Sequence, residues 1–545
     1  MTTMTGGEAV VAALHALGVR HVFGIVSVHN LPILDAIARD GGITLVEARH
    51  EQGAVHAADG YARATGRLGL AITSTGPGAA NAAGGLFEAY FSSSPVLMIT
   101  GQIETAWLGR GRGFIHEADN QIEMLRAVTR RAESVLHHGD IADAVVRCGL
   151  DALTGRPRPA AVEIPIDLQY ARGAVEVPTA GEPRRAAPAD APLAQAVDLL
   201  SRAERPLLWA GGGVISADAA PAFTALAERL GAPVLTSAHG RGAIPEDHPL
   251  ALGANSDQAT MDPMIADADV VLAVGARFQM TSNIERALTI PGQLIHVDAD
   301  PTVIGRNHPA AVAVVADARL ALEALLDRLD RPAADAAWSE QGKATRAAVD
   351  AEIRDAMGAD FEKIMDSMRA ALPRDAVVVK DSTIAAYVWA NRLLATYEPR
   401  TALRPSSAAI GPGVPLAVGA ALGSGRRTVV IQGDGGLMLS LGELSTAVQQ
   451  QLPIVVCVFN DRGYGILRFI QDLTLEGRRT GVDLATPDFA ALARAMGMEA
   501  EAVDSVEAFE DAFGRAARAD GPWLIDLDIT HLAPMEIRPQ RPPRA

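Results

Sequence analysis

The chain has 545 residues, too many for one hydrophobic core, and its 49% hydrophobic and 21% charged residues form an ordinary globular balance without extended disorder. A net charge of −17 repels nucleic acid and anionic lipid, so neither is an expected partner, and an anionic ligand needs local devices such as helix N-termini or a metal ion. No apolar run reaches membrane-spanning length, the start MTTMTGGEAVVAAL is unlike a signal peptide, and the two cysteines, Cys148 and Cys457, suit buried thiols; a cytoplasmic protein is expected.

Short β-rich apolar runs alternate with helix-like stretches along the chain, the pattern of parallel sheets with crossover helices. In the first third, HVFGI, ITLVEAR, LGLAIT and PVLMIT read as strands, GEAVVAALHAL and GAVHAADGYARA as helices, and Glu163–Asp167 as the last strand of the unit. A loop-like linker from Val177 to Pro192 follows. PLLWAGGG, APVLTS, DVVLAVGARF and LIHVDAD read as the strands of a second unit. A polar helical stretch around Ala334–Met357 leads to a third, with strands AVVVKDS, TVVIQGDGG, PIVVCVFND and PWLIDLDI. The predicted class is α/β, with three doubly wound parallel-sheet domains.

The most informative segment is Thr428–Asp461. One strand ends in Gly433-Asp434-Gly435-Gly436, a helix-like segment crosses over, and the next strand ends in Asn460-Asp461. Parallel sheets bind ligands at the carboxyl ends of their strands, so Asp434 and Asp461 are expected at one mouth of the sheet. Two carboxylates there repel unless a cation lies between them. Magnesium takes one or two carboxylates and fills its shell with phosphate oxygens and water. The glycines allow close approach of a diphosphate, and the helix N-terminus offers free N–H groups to it.

These residues resemble the diphosphate–metal signature of the thiamine diphosphate (ThDP) enzymes of the acetolactate synthase, pyruvate oxidase and benzaldehyde lyase superfamily. The resemblance covers essentially the whole chain. It implies a pyrimidine-binding domain over residues 1–176, a central Rossmann-like domain over 190–335 and a diphosphate-binding domain over 358–545. By the resemblance, Asp434, the Asp461 side chain and the Gly463 carbonyl bind Mg2+. Ser382, Thr383, Gly433, Gly435, Gly436, Tyr464, Gly465 and Ile466 join them around the coenzyme. Asp461 departs from the commoner Asn and adds negative charge.

The stretch ARHEQGAVHAADGYARATGR resembles the family's glutamate segment, which makes Glu51 the activator of the coenzyme's aminopyrimidine; such a group works best in a dry pocket. Pro77 and Asn81, in the loop Ser74–Asn81, are implied coenzyme contacts. Ile410, in SSAAIGPGVPLAVGAALG, matches the wedge that bends the coenzyme. His29 and His116 map to the face that reads the substrate, where histidine can shuttle protons; Glu117 is a weaker candidate.

The sequence departs from true acetolactate synthases at Val26-Ser27-Val28, at LRFIQDL after the Tyr-Gly turn, and in the tail IRPQRPPRA. Gly211–Val214, Asp298, Asp300 and VGARF resemble a region that binds FAD or ADP in some members; FAD is possible here but not favoured. The expected activity is a ThDP- and Mg-dependent C–C lyase or carboligase acting on a 2-oxo acid or acyloin. A simple 2-oxo acid decarboxylase and a catalytically silent scaffolding subunit are the alternatives. A homodimer or homotetramer with sites between chains is implied, since family members build one site from domains of two chains.

Overall fold

The expected apolar runs become strands because crossover helices cover both faces of a parallel sheet, so its central strands are apolar throughout; the one expected over Glu163–Asp167 instead runs Ala160–Pro165, and Ile166 and Asp167 open a short helix. The computed structural model describes residues 1–279, 288–290, 292–330 and 333–536; the tail IRPQRPPRA lies outside them. Three six-stranded sheets form, every pairing within them parallel.

In the first sheet the spatial order is Thr44–Glu47, His21–Gly24, Gly69–Thr73, Val96–Gln102, Ala160–Pro165 and Arg131–Ser134. The last sheet repeats this plan as Ala402–Leu403, Val377–Lys380, Thr428–Gly433, Ile454–Asn460, Trp523–Asp528 and Glu499–Val503. In both, the chain leaves one strand, pairs on its outer side, and returns to its inner side. The crevice at such a reversal lies at the strands' carboxyl ends. In the first sheet those ends are Gly24 and Thr73; in the last they are Lys380 and Gly433.

The central sheet has its reversal between Pro206–Ala210 and Val270–Val274. Several strands were not legible in the sequence: Ala251–Gly253, Ala402–Leu403, Val312–Val315 and Glu499–Val503 are short edge strands. The antiparallel pair Thr2–Thr5 and Arg172–Val175 was also unforeseen; it ties the two ends of the first unit together. The polar helical stretch belongs to a longer helix, Ala336–Ala371, kinked at Gly358, where φ is 77°. Its buried face of Val349, Ile353, Met357, Phe361, Ile364 and Met368 joins one apolar core shared by the central and last sheets.

A second shared core joins the first and last units. Helix Glu51–Thr65 lies on helix Gly413–Ser424 with backbones almost touching. A Cβ on Gly60 would stand 2.0 Å from the Leu416 carbonyl oxygen, and one on Gly419 1.7 Å from that of Ala57. Between the central and last units, the buried pair Arg241–Glu246 is bidentate, at 2.6 and 2.5 Å, and Arg241 also donates to the carbonyls of Ala390 and Leu394.

Candidate active site

Gly433 pairs with Phe459 in register, so the strand ends of Thr428–Gly433 and Ile454–Asn460 are level and Asp434 sits beside Asp461. Asp434 opens the short helix Asp434–Leu437 and is fully buried, with neither carboxyl oxygen partnered among the described residues. Burial, and then the Asp461 charge, push its carboxyl up to about 6. Burial raises Asp461 as well, against the pull of Arg468, whose guanidinium stands 3.5 Å from it. Orphaned buried carboxylate oxygens are costly unless something cationic meets them, and a divalent ion with oxygen ligands suits this donor set. The pair therefore fits magnesium.

Asn460 is structural: its amide donates to Asp526 at 3.0 Å and its carbonyl oxygen accepts from the Arg462 N–H at 3.1 Å. That turn presents Asp461 to the cleft. Gly465 must be glycine for this, because a Cβ there would stand 1.8 Å from a carboxylate oxygen of Asp461. Ser382, Thr383, Ile410, Gly433, Gly435, Gly436, Tyr464, Gly465 and Ile466 line the same cleft with Asp434, Asp461 and Gly463. Ile410 is half-buried and belongs to no apolar core. Buried Asp381, missed in the sequence, accepts from the backbone N–H of Gly411 and Gly413 and so holds the loop that carries Ile410.

Glu51 is the first residue of its helix, at the tip of strand Thr44–Glu47. It is half-buried and accepts from the Asn81 side chain at 3.1 Å. Pro77 and Asn81, on helix Pro77–Ser92, are exposed. Glu443, also missed, reaches from the last unit to accept the N–H groups of Arg49 and His50 at 3.0 and 3.1 Å, which fixes the turn into Glu51. Both catalytic histidine candidates meet here, with ring centroids 5.2 Å apart. His29 is buried, and burial followed by the neighbouring His116 lowers its pKa. Glu117 instead accepts backbone N–H groups of its own loop, from Gly113 at 2.6 Å and Phe114 at 3.0 Å.

These residues fall into two groups within one chain. None of Glu51, Pro77, Asn81, His29 or His116 lines the cleft that holds Asp434 and Asp461. Exposed apolar side chains flank each group: Val26, Val28 and Ile115 beside the histidines, Met438 and Leu439 after the GDGG turn.

In the central unit, Gly211 and Gly213 press on another loop: a Cβ on Gly211 would stand 1.9 Å from the Gly275 oxygen, and one on Gly213 2.6 Å from the Gly275 Cα. Loop packing accounts for that glycine run without a ligand.

Comparison with known proteins decides the family. Residues 4–124 match the thiamine pyrophosphate enzyme N-terminal TPP binding domain, 193–325 its central domain and 385–527 its C-terminal TPP binding domain. The chain belongs to the thiamine pyrophosphate enzymes. This ThDP-dependent enzyme is 38% identical over 533 residues to a probable 2-ketoarginine decarboxylase of Pseudomonas aeruginosa, covering 96% of this chain and 94% of the relative. It is 32% identical over 561 residues to the acetolactate synthase isozyme 2 large subunit of Escherichia coli, covering 99% and 98%. A probable acetolactate synthase large subunit of Methanocaldococcus jannaschii is 32% identical over 574 residues, covering 99% and 94%.

Proposed function

We propose that this ThDP enzyme uses Mg2+ to hold its coenzyme and cleaves the bond between the carboxyl and carbonyl carbons of a 2-oxo acid, then passes the acyl fragment to a proton or to a second carbonyl compound. The observation that carries the reading is the buried, unpartnered carboxylate Asp434 beside Asp461 at a strand-end crevice. When bound, thiamine diphosphate supplies a nucleophilic carbon and a sink for the electron pair left by C–C cleavage. Asp434, Asp461 and the Gly463 carbonyl would hold the metal. The glycines of the GDGG turn let the backbone close on a diphosphate, and Ile410, half-buried in the cleft, would set the coenzyme's bend.

Glu51 would exchange a proton with the far end of the coenzyme, from a turn held by Glu443. His29 and His116 would face the substrate oxygen. Because one chain keeps Glu51 out of its own Asp434 cleft, a second copy completes each site, and the exposed Val26, Val28, Ile115 and Leu439 are then covered. A dimer or tetramer follows from that incompleteness. The reading does not call on FAD. No described helix is long and apolar enough to cross a membrane, and the buried, unpaired Cys148 and Cys457 suit a reducing cytoplasm.

Simple decarboxylation is favoured as the first chemistry to test, because the 38% identical relative is named a decarboxylase. The test is a panel of 2-oxo acids, basic side chains included, each with and without an added aldehyde. Released aldehyde identifies decarboxylation; a hydroxyketone identifies carboligation. No saturable uptake of Mg–ThDP by the purified protein would sink both.

A further inference from the structure

The segment 105–121 follows strand Val96–Gln102 and carries His116. Both of its ends are tied to the first unit. The Thr105 N–H and hydroxyl donate to the two Asp167 carboxylate oxygens at 3.0 and 2.5 Å. Buried Gln121 accepts from the Gly76 N–H at 2.7 Å and donates to Glu163 at 2.9 Å. Between these ties, residues 109–117 are exposed or half-buried, so core packing does not dictate their backbone. Gly109, Gly111 and Gly113 have φ of 70°, 57° and 74°, and a Cβ on any of them would meet nothing within 4 Å. Glycine is needed there for conformation, not for space. Arg110 and Arg112 between them stay out of the left-handed region, and alternation of this kind turns successive N–H groups to one side, where they can hold an anion.

The anion they hold is a side chain of the same loop. The Glu117 carboxylate accepts the N–H groups of Gly113 at 2.6 Å, Phe114 at 3.0 Å and Arg112 at 3.4 Å. The Phe114 N–H foremost, opposed by slight burial, holds the Glu117 carboxyl below its ordinary range. The same carboxylate closes the turn that bears His116. The Glu117 N–H donates to the Phe114 carbonyl at 3.0 Å while the Phe114 N–H donates back to the Glu117 side chain, so two bonds ring Ile115 and His116. His116 is the third residue of this turn, and its φ of 66° is the left-handed value a type II turn takes at the place where glycine is preferred. A strained residue of that kind persists only where its surroundings over-determine it. The ring end is met by Ser74, whose Oγ is 3.2 Å from His116 Nδ1 and 2.6 Å from Ser27 Oγ. We propose that Glu117 is a positioning residue: its carboxylate, seated among the loop's N–H groups, locks the 114–117 turn and so keeps His116 in the strained conformation that sets its ring beside Ser74 and His29. That His116 meets substrate rests on the coenzyme reading above; the lock is a property of the chain alone.

The test reads the two apart. Hydrogen exchange of the peptide covering residues 109–118 is followed in the whole protein without coenzyme, and Mg–ThDP uptake and turnover per loaded site are measured on the same samples. Glu117→Ala is expected to speed exchange of the Gly113 and Phe114 amides and, with uptake unchanged, to lower kcat by about tenfold or more, as a small misplacement of a reacting group does. Glu117→Gln keeps an oxygen that can accept both N–H groups and stays nearer the wild type on both scales. Asp119→Ala, which removes an exposed carboxylate two residues on, matches the wild type. Wild-type exchange in Glu117→Ala overturns the lock, as does Asp119→Ala opening the loop equally. Faster exchange with unaltered kcat overturns the positioning role. A Glu117→Gln protein with a closed loop but a kcat as low as that of Glu117→Ala overturns it too, because Glu117 would then act on the reactants itself; this variant decides if Glu117→Ala does not fold. Absent Mg–ThDP uptake by the wild type removes the coenzyme reading and leaves the exchange result to decide the lock.

Discussion

Replacing Gly60 by alanine sets two effects of opposite sign against each other. In an open helix position the change stabilises by about 1 kcal/mol, through lower backbone entropy in the unfolded chain. Here the new methyl would stand 2.0 Å from the Leu416 oxygen, 2.7 Å from its carbonyl carbon and 2.8 Å from its Cα. Carbon atoms in contact need about 3.5 Å, so helices Glu51–Thr65 and Gly413–Ser424 must part by more than about 1 Å. The obstacle is backbone, which cannot rotate aside. Overpacking costs about 1–3 kcal/mol, and the upper end applies. The clash therefore outweighs the entropy gain, and a net loss of about 2 kcal/mol is expected. The internal control is Gly514→Ala, in helix Val506–Ala516, where the nearest atom to a new Cβ is 3.9 Å away; that change is expected to stabilise. Urea midpoints followed by circular dichroism, with Mg–ThDP uptake on the same samples, make the comparison. A Gly60→Ala protein as stable as the wild type would refute the argument that the two backbones are in contact.

Glu51→Gln should still take up Mg–ThDP, while turnover of an accepted 2-oxo acid falls by about 100-fold or more, since the carboxyl's proton exchange is lost; equal turnover removes Glu51 from the mechanism. Glu246→Gln leaves Arg241 charged and buried without its bidentate partner and should cost about 3–5 kcal/mol, read as a lower thermal midpoint; a loss below about 1 kcal/mol would mean the pair is not closed in solution. For Asp434, with its carboxyl at about 6 against an ordinary value of 3.8, the sign runs two ways. In the metal-free protein the raised pKa contributes stability at low pH that is lost as pH rises through about 6. Metal must displace that proton, so Mg–ThDP affinity should be level above about 6 and weaken up to about tenfold per pH unit below it; Asp434→Asn should abolish both effects, and calorimetric titration at several pH values checks them.

The cofactor family was legible because its residues sit at strand ends within short segments: GDGG and Asn-Asp need only a β-α-β reading to be placed together, and Glu51 needs only a strand followed by a helix. What escaped the sequence is what distant segments make together. Glu443 reads as a helix-surface glutamate in GELSTAVQQ, yet its oxygen reaches residues nearly 400 positions earlier in the chain. Ser27 and Ser74 are 47 residues apart and look like ordinary loop serines until two adjacent strands bring their loops together. Asp381 follows a strand like many turn aspartates, and only the fold aims it at Gly411 and Gly413. The edge strands were missed because a strand of two to five residues carries little apolar signal.

The tight contact between helix Glu51–Thr65 and helix Gly413–Ser424 has a consequence for how activity scales. It fixes the Glu51 turn and the Asp434 cleft to one polypeptide without bringing Glu51 into that cleft, so on the proposed shared-site reading an isolated subunit is expected to be inert. Specific activity should then fall on dilution as copies separate. Two inactive variants, one lacking the Glu51 carboxyl and one lacking that of Asp434, should rescue each other when mixed and allowed to exchange subunits. In a mixed pair, one site gathers both lesions and the other gathers none.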